Sequence, residues 1–276
     1  MRYTPWLTTL DDVRAHRRLG ASETSDDELL KRLIGAASAE FARQIGRVPM
    51  PYRATRRYDA DGANVEPYTL DLDEDLLELA ALTNGDGSAI GLEQVVLRPT
   101  NDYPKWRIAL KPGAGITFTY GGDPQAAIAV EGWWGYAPHY DSAWRVCDAV
   151  GGDGLPAAGG TLVASAVGFE IGHYLRLDDE IVQVRSRNEA TLAIMRGELG
   201  TTRADHAAGT AIYVFEPLPD IRAAVREMVA YSYKAIDRIG GRVQVYDGGR
   251  MSVDDLDPLV RRAVQDHARK AMVVIR

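Results

Sequence analysis

The feature that most constrains the fold is the stretch Ser25 to Gly46, SDDELLKRLIGAASAEFARQIG. Leu29, Leu30, Leu33, Ile34, Ala37, Phe41 and Ile45 recur at the 3.6-residue period, so a helix here carries one apolar face. Ser25 and Glu28 have the spacing of a capping box, Asp26 and Asp27 sit at the positive end of the helix dipole, and Gly46 offers the left-handed stop. Such a face is not stable in water on its own and needs partners.

The best partners lie at the two ends of the chain. Thr9, with Asp12 three residues on, caps a short helix from Leu10 to Leu19 that Gly20 ends, and Arg14, His16, Arg17 and Arg18 complement its negative end. Helical periods return at Asp220 to Ile239 and at Pro258 to Ile275, the latter with Asp257 as cap and Pro258 in the first helical position. The matching faces predict Leu33, Ile34, Ala37 and Phe41 packed on Val225, Met228, Val229 and Ile236. Between them the patterning is strand-like. The expected fold class is therefore α+β, a helical bundle core of four main helices with a large β-rich insertion. Its parts are a first half of the helical core (1–58), a β-rich region (59–147), an inserted small β module (148–216) and the second half of the core (217–276). A scaffold of this kind presents surfaces rather than framing a pocket.

Within the β-rich region, strands are expected at Gln94 to Leu97, Trp106 to Leu110, Gly115 to Tyr120 and Ala127 to Glu131, with Asn84-Gly85-Asp86-Gly87 as a hairpin or loop. Asp148 to Gly160 reads as a linker, and the following strands, punctuated by Gly172, Gly197, Gly200 and Gly209, as a compact module. The acidic run Asp71, Asp73, Glu74 and Asp75 is expected on a solvated face, and Asp59 and Asp61 lack the spacing of a calcium loop.

The chemistry-bearing residues form no catalytic set in sequence. Glu180, Arg196 and His206 have the types of an acid, an anchor and a base. The simpler expectation is a structural pair of Glu180 with Arg196 across strands, with His206 bonded in its own loop. Gly197 to Thr202 lacks the lysine of a phosphate loop, and Ser142 and Ser165 lack a nucleophile elbow. Histidines 16, 139, 173, 206 and 267 show no metal-ligand spacing, and Cys147, the single cysteine, has no basic neighbour in sequence. No cofactor and no metal are expected. Trp106, Trp133, Trp134 and Tyr136 have the type that stacks on bases, but without interleaved cations they read as sheet packing. A net charge of -7 over 276 residues argues against a protein that grips phosphates. No apolar run reaches membrane-spanning length and no secretory leader is visible, so synthesis in a cytoplasm is expected.

Two end segments, YTPWLTTLDDVRAHRRLG with TSDDELLKRLIGAASAEFARQIGR, and PDIRAAVREMVAYSYKAIDRIGG with DPLVRRAVQDHARKAMVVIR, resemble the helices of head–tail connector (adaptor) proteins of long-tailed bacteriophages. LTNGDG, the Pro-Lys-Trp strand and VEGWWGY are similar to strands of larger phage connectors. GFEIGHYLRLDDEIVQVRS and LAIMRGELGTTRADHAAGTAIYVF are similar to small β modules of virion structural proteins. The resemblance implies a non-enzymatic virion protein of the neck, in a homo-oligomeric ring, usually twelvefold. It sits between the portal protein and stopper or tail-terminator proteins, with viral DNA passing through the lumen unread and no membrane partner. It also implies that the C-terminal region reaches the portal. Met272, Val273, Val274 and Ile275 come consecutively before Arg276, so one helical face cannot bury them all, and they are the expected portal or neighbour contacts. Two rival readings are a tail or baseplate β-module protein that binds a receptor, and a carbohydrate-active hydrolase using Asp178, Asp179 and Glu180.

Overall fold

The computed structural model describes residues 3–20, 22–164, 167–238 and 257–269. They divide into two units, Met1–Val48 with Ala143–Arg276, and Pro49–Ser142.

In the first unit, α1 (Leu10–Arg17) begins as its sequence dictates, with the Thr9 side chain accepting the Asp12 N–H. Its stop comes earlier than Gly20, at Arg18 in the left-handed region (φ 59°). α2 (Asp27–Ile45) ends on Gly46 (φ 68°), whose N–H bonds the Ala42 and Arg43 carbonyls. The Ser25 capping box does not form. Asp26 takes the N-cap position without a side-chain cap, because its carboxylate accepts from the Tyr233 hydroxyl, while Asp27 pairs with Arg14.

The second unit holds a seven-stranded antiparallel sheet: β1 (Tyr52–Tyr58), β2 (Val65–Glu66), β3 (Thr69–Thr83), β4 (Ala89–Ile90), β5 (Val95–Arg98), β6 (Lys105–Leu110) and β7 (Ile128–Trp134). Its main order is β1-β7-β3-β6-β5, with β2 and β4 on β3. The acidic run lies on β3, with Asp73 exposed and Asp71 and Glu74 half-exposed as a solvated face requires, and only Asp75 turned inward. Asp71 accepts from Arg107 and Asp73 from Arg56 and Tyr58, and Asp75 is buried. Alternation on a strand gives carboxylates cross-strand cations to pair with, a choice invisible in a run read by composition alone. The expected strand at Gly115 to Tyr120 is irregular chain, held by a bridge between Gly85 and Tyr120, by the Phe118 N–H on the Pro67 carbonyl and by the Asn84 side chain on Thr117 and Thr119. Of the four aromatics expected to pack the sheet, Trp133 and Trp134 are buried and Tyr136 is half-buried, but Trp106 on β6 is exposed, because it lies on the strand face away from the core.

The first unit resumes with a six-stranded antiparallel sheet: β8 (Trp144–Ala149), β9 (Thr161–Val163), β10 (Tyr174–Leu177), β11 (Glu180–Arg187), β12 (Thr191–Glu198) and β13 (Ala211–Phe215), in the order β8-β13-β10-β11-β12-β9. β8 occupies residues that the sequence assigns to the β-rich region and the linker. It pairs with β13, so the module begins before the glycine-rich stretch. α3 (Pro219–Arg238) and α4 (Pro258–His267) follow, α4 with Asp257 capping the Leu259 N–H.

α2 packs on α3 and α4, and α1 on both α2 and α3. Of the expected contacts Ile34, Ala37 and Phe41 are buried, together with Leu30, on one side and Val225, Met228 and Val229 on the other, whereas Leu33 is only half-buried; the Ile236 side chain lies outside the described residues, as do Met272 to Arg276. The expected fold class is nevertheless corrected. Among the described residues two antiparallel sheets of 13 strands outweigh the four helices, so the protein is β-rich and not built on a four-helix bundle core. The physical reason is that the strands bury their own apolar sets. Leu70, Ile108, Ile128, Val130 and Trp134 fill one core, and Leu175, Val182, Val184, Leu192, Ile212 and Val214 another, all without exposed surface. The apolar period of the helices at the chain ends is a strong local signal, but it says nothing of how much core the strands between them bury.

Candidate functional site

The polar residues of the six-stranded sheet converge on one buried cluster. β10 and β11 are joined by the two-residue turn Asp178-Asp179, with Leu177 opposite Glu180. Asp178 takes a positive φ of 50°, which a short polar side chain tolerates. Glu180 opens β11 and points inward. Arg196 reaches it from β12, where the pairing register shifts between Ile181 and Gln183 and Gly197 turns left-handed (φ 67°). The shift aims the Gly197 N–H at the carboxylate, 2.9 Å from Glu180 Oε1. His206 comes from the chain before β13.

The geometry leaves no group over. Arg196 donates Nε to Glu180 Oε1 at 2.7 Å and Nη2 to Oε2 at 2.6 Å, a side-on pair. Its remaining hydrogens go to the Pro156 carbonyl (2.9 Å), the Gly159 carbonyl (3.1 Å) and the Ala204 carbonyl (2.6 Å), so all five guanidinium donors are used. Glu180 Oε2 also accepts the Ala204 N–H at 3.0 Å. His206 bridges two carboxylates, Nε2 3.0 Å from Glu180 Oε2 and Nδ1 2.8 Å from Asp178 Oδ2. Side-chain exposure is 2% for Arg196, 0% for Glu180 and 1% for His206, against 65% for Asp178. Burial alone would raise the Glu180 pKa. The Arg196 hydrogen bonds, with those from Ala204 N–H, His206 and Gly197 N–H, outweigh it and bring the value down to about 2.

This arrangement ties the loops at 155–160 and 199–206 to the sheet. Leu155 and His206 exchange backbone hydrogen bonds, and the Ala157 N–H bonds Asp205. The Glu180–Arg196 approach expected from sequence is present but fully buried rather than exposed, and His206 is bound into it instead of into its own loop. What sequence reasoning missed is Asp178 as the outer partner of His206; its one signal was the Asp178/Glu180 spacing flanking a turn.

A second ionic network joins helices and sheet within the same unit. Arg222 of α3 reaches Asp12, Glu170 and Glu216; Arg226 reaches Asp12; Arg187 reaches Asp11. The remaining sequence candidates stand apart. His16 faces Glu227 and His267 faces Asp220, and Ser142 donates to the His139 carbonyl; Cys147, expected to lack a basic neighbour, accepts at 3.6 Å from Arg145, two residues before it on β8. In the loop that resembles a phosphate cradle, Thr201 Oγ1 accepts the Ile181 N–H and donates to the Glu198 carbonyl. Among the described residues no group of three or more His, Cys, Asp or Glu could hold a metal ion, and no helix is long and apolar enough to cross a membrane. Compared with family models, curated proteins and solved structures, the chain matches none.

Proposed function

We propose that the chain is a structural virion protein, a head–tail connector that forms a ring between the portal and the stopper or tail proteins around the DNA channel. The observation that carries this reading is the closed Glu180–Arg196–His206 cluster. The Glu180, Arg196 and His206 constellation, which has catalytic residue types, is spent on internal bonds, every Arg196 donor included, and serves to fix two loops on a sheet. Fixed loops on a rigid β module suit standing contacts with neighbouring proteins. The packing of helices from both ends of the chain in one unit is consistent with the resemblance of those segments to connector helices. In this reading Met272 to Arg276, outside the described residues, contact the portal or the neighbouring subunit. Their removal is expected to leave the helical circular-dichroism signal intact and to abolish co-purification with portal; unchanged occupancy on portal-containing heads would remove that role.

A second reading, a tail or baseplate protein whose β region binds a receptor, draws on Tyr68, Trp106 and Tyr120, aromatic side chains exposed on the seven-stranded-sheet unit. Solution size separates the two. A closed ring, alone or on portal, supports the connector; a monomer that binds host surface material supports the receptor reading.

A further inference from the structure

We propose that the joint between α1 and the six-stranded sheet is an acid-released contact, held closed by the neutral imidazole of His173. The joint is built from the chain just before β10. The Leu10 N–H bonds the Ile171 carbonyl at 2.9 Å, and the Ile171 N–H bonds Asp11 Oδ2 at 2.8 Å. Gly172, at φ 105°, lies so close to the Trp6 ring that a Cβ there would meet Cε3 at 2.6 Å. Thr9 donates to Glu170. His173 closes this turn from beneath: its Nδ1 accepts the Glu170 N–H at 3.0 Å.

An acceptor at Nδ1 must carry a lone pair, so the turn as built requires that nitrogen to be unprotonated. A proton placed there sets two N–H groups head to head and forces the Glu170 amide away. The charged groups around the ring come from each element of the joint: Glu170 on its own segment, with Oε2 3.7 Å from Nε2, Asp11 of α1, Arg222 of α3, Arg145 of β8 and Glu216 after β13. Burial is the largest influence and disfavours the cation; Glu216 opposes it, Arg222 and Arg145 reinforce it, and Asp11 opposes it. The balance lowers the His173 pKa from 6.5 to about 4. A depressed histidine pKa stabilises the closed joint above 6.5, and that stabilisation is lost as the pH falls toward about 4.

Amide hydrogen exchange on the whole chain, corrected for intrinsic rates, tests this. Between neutral pH and about pH 4.5 the Glu170, Ile171 and Leu10 amides should lose at least about tenfold in protection relative to Val182 of β11, following the linkage of a released histidine. His173→Asn keeps an oxygen where Nδ1 lies and does not titrate, so its joint should hold its protection over the same range. Equal loss in His173→Asn, or no loss in the parent, overturns the proposal. Should the variant fail to fold, NMR titration of the His173 ring in the parent decides. A midpoint well below the ordinary histidine value supports the proposal, and one at or above that value contradicts it.

Discussion

At the residue scale the structure turns on how completely Arg196 and Glu180 satisfy each other. Removing one partner strands a buried charge, so Arg196→Met should destabilise the protein by roughly 3–5 kcal/mol in chemical denaturation. Replacing both Arg196 and Glu180 with apolar residues of similar volume should recover only part of that loss, since no unpaired charge then remains but the Pro156, Gly159 and Ala204 carbonyls and the Gly197 and Ala204 N–H groups lose their partners. A single substitution with less than about 1 kcal/mol effect would show the pair to be incidental. The same carboxylate makes an acid signature. Its folded pKa of about 2 lies below the ordinary 4.5, so its contribution is complete above 4.5 and disappears as the pH falls toward 2. The size is on the order of 3 kcal/mol by linkage. Denaturation midpoints measured across that window should fall less steeply in Glu180→Gln, which lacks the titrating group, than in the parent. The pair itself was legible in sequence as two opposite charges on neighbouring strands. Its burial was not, because the carbonyls of Pro156, Gly159 and Ala204 that complete it are backbone groups of irregular loops with no side-chain signature.

At the element scale, helices were the easiest elements to read and the easiest to overrate. The apolar period of α2, the Gly46 stop, the Thr9 cap and the Asp257-Pro258 start all correspond to structure, because each is a local rule acting within a few residues. Where a tertiary partner competed, local rules failed: Asp26 is bound by Tyr233, from the far end of the chain, and the Ser25 box is absent. β8 was hidden for a similar reason. WRVCDA has little alternation of its own, and its place in the sheet is fixed by pairing with β13, which is distant in sequence. Phe41 tests the helical packing directly. It is fully buried on α2, and Phe41→Ala should destabilise the unit by about 3–5 kcal/mol, measured by denaturant unfolding followed through helical circular dichroism. A loss under about 1 kcal/mol would mean that the α2 face does not hold the helices together.

At the scale of the whole molecule, the chain is two units, each with its own antiparallel sheet, and helices from both chain ends gathered in one of them. In the first of them Glu180, Arg196 and His206 are committed to holding loops in place. Under the proposed function the chain is a repeating part in a larger assembly. The measurement that tests this most directly is imaging of the protein in place, by cryo-electron microscopy of intact virions or of portal complexes reconstituted with the purified chain. The account predicts a closed ring of this chain directly beneath the portal, with the DNA channel through its centre. A protein that stays monomeric in the presence of portal and occupies no position in the neck would contradict it.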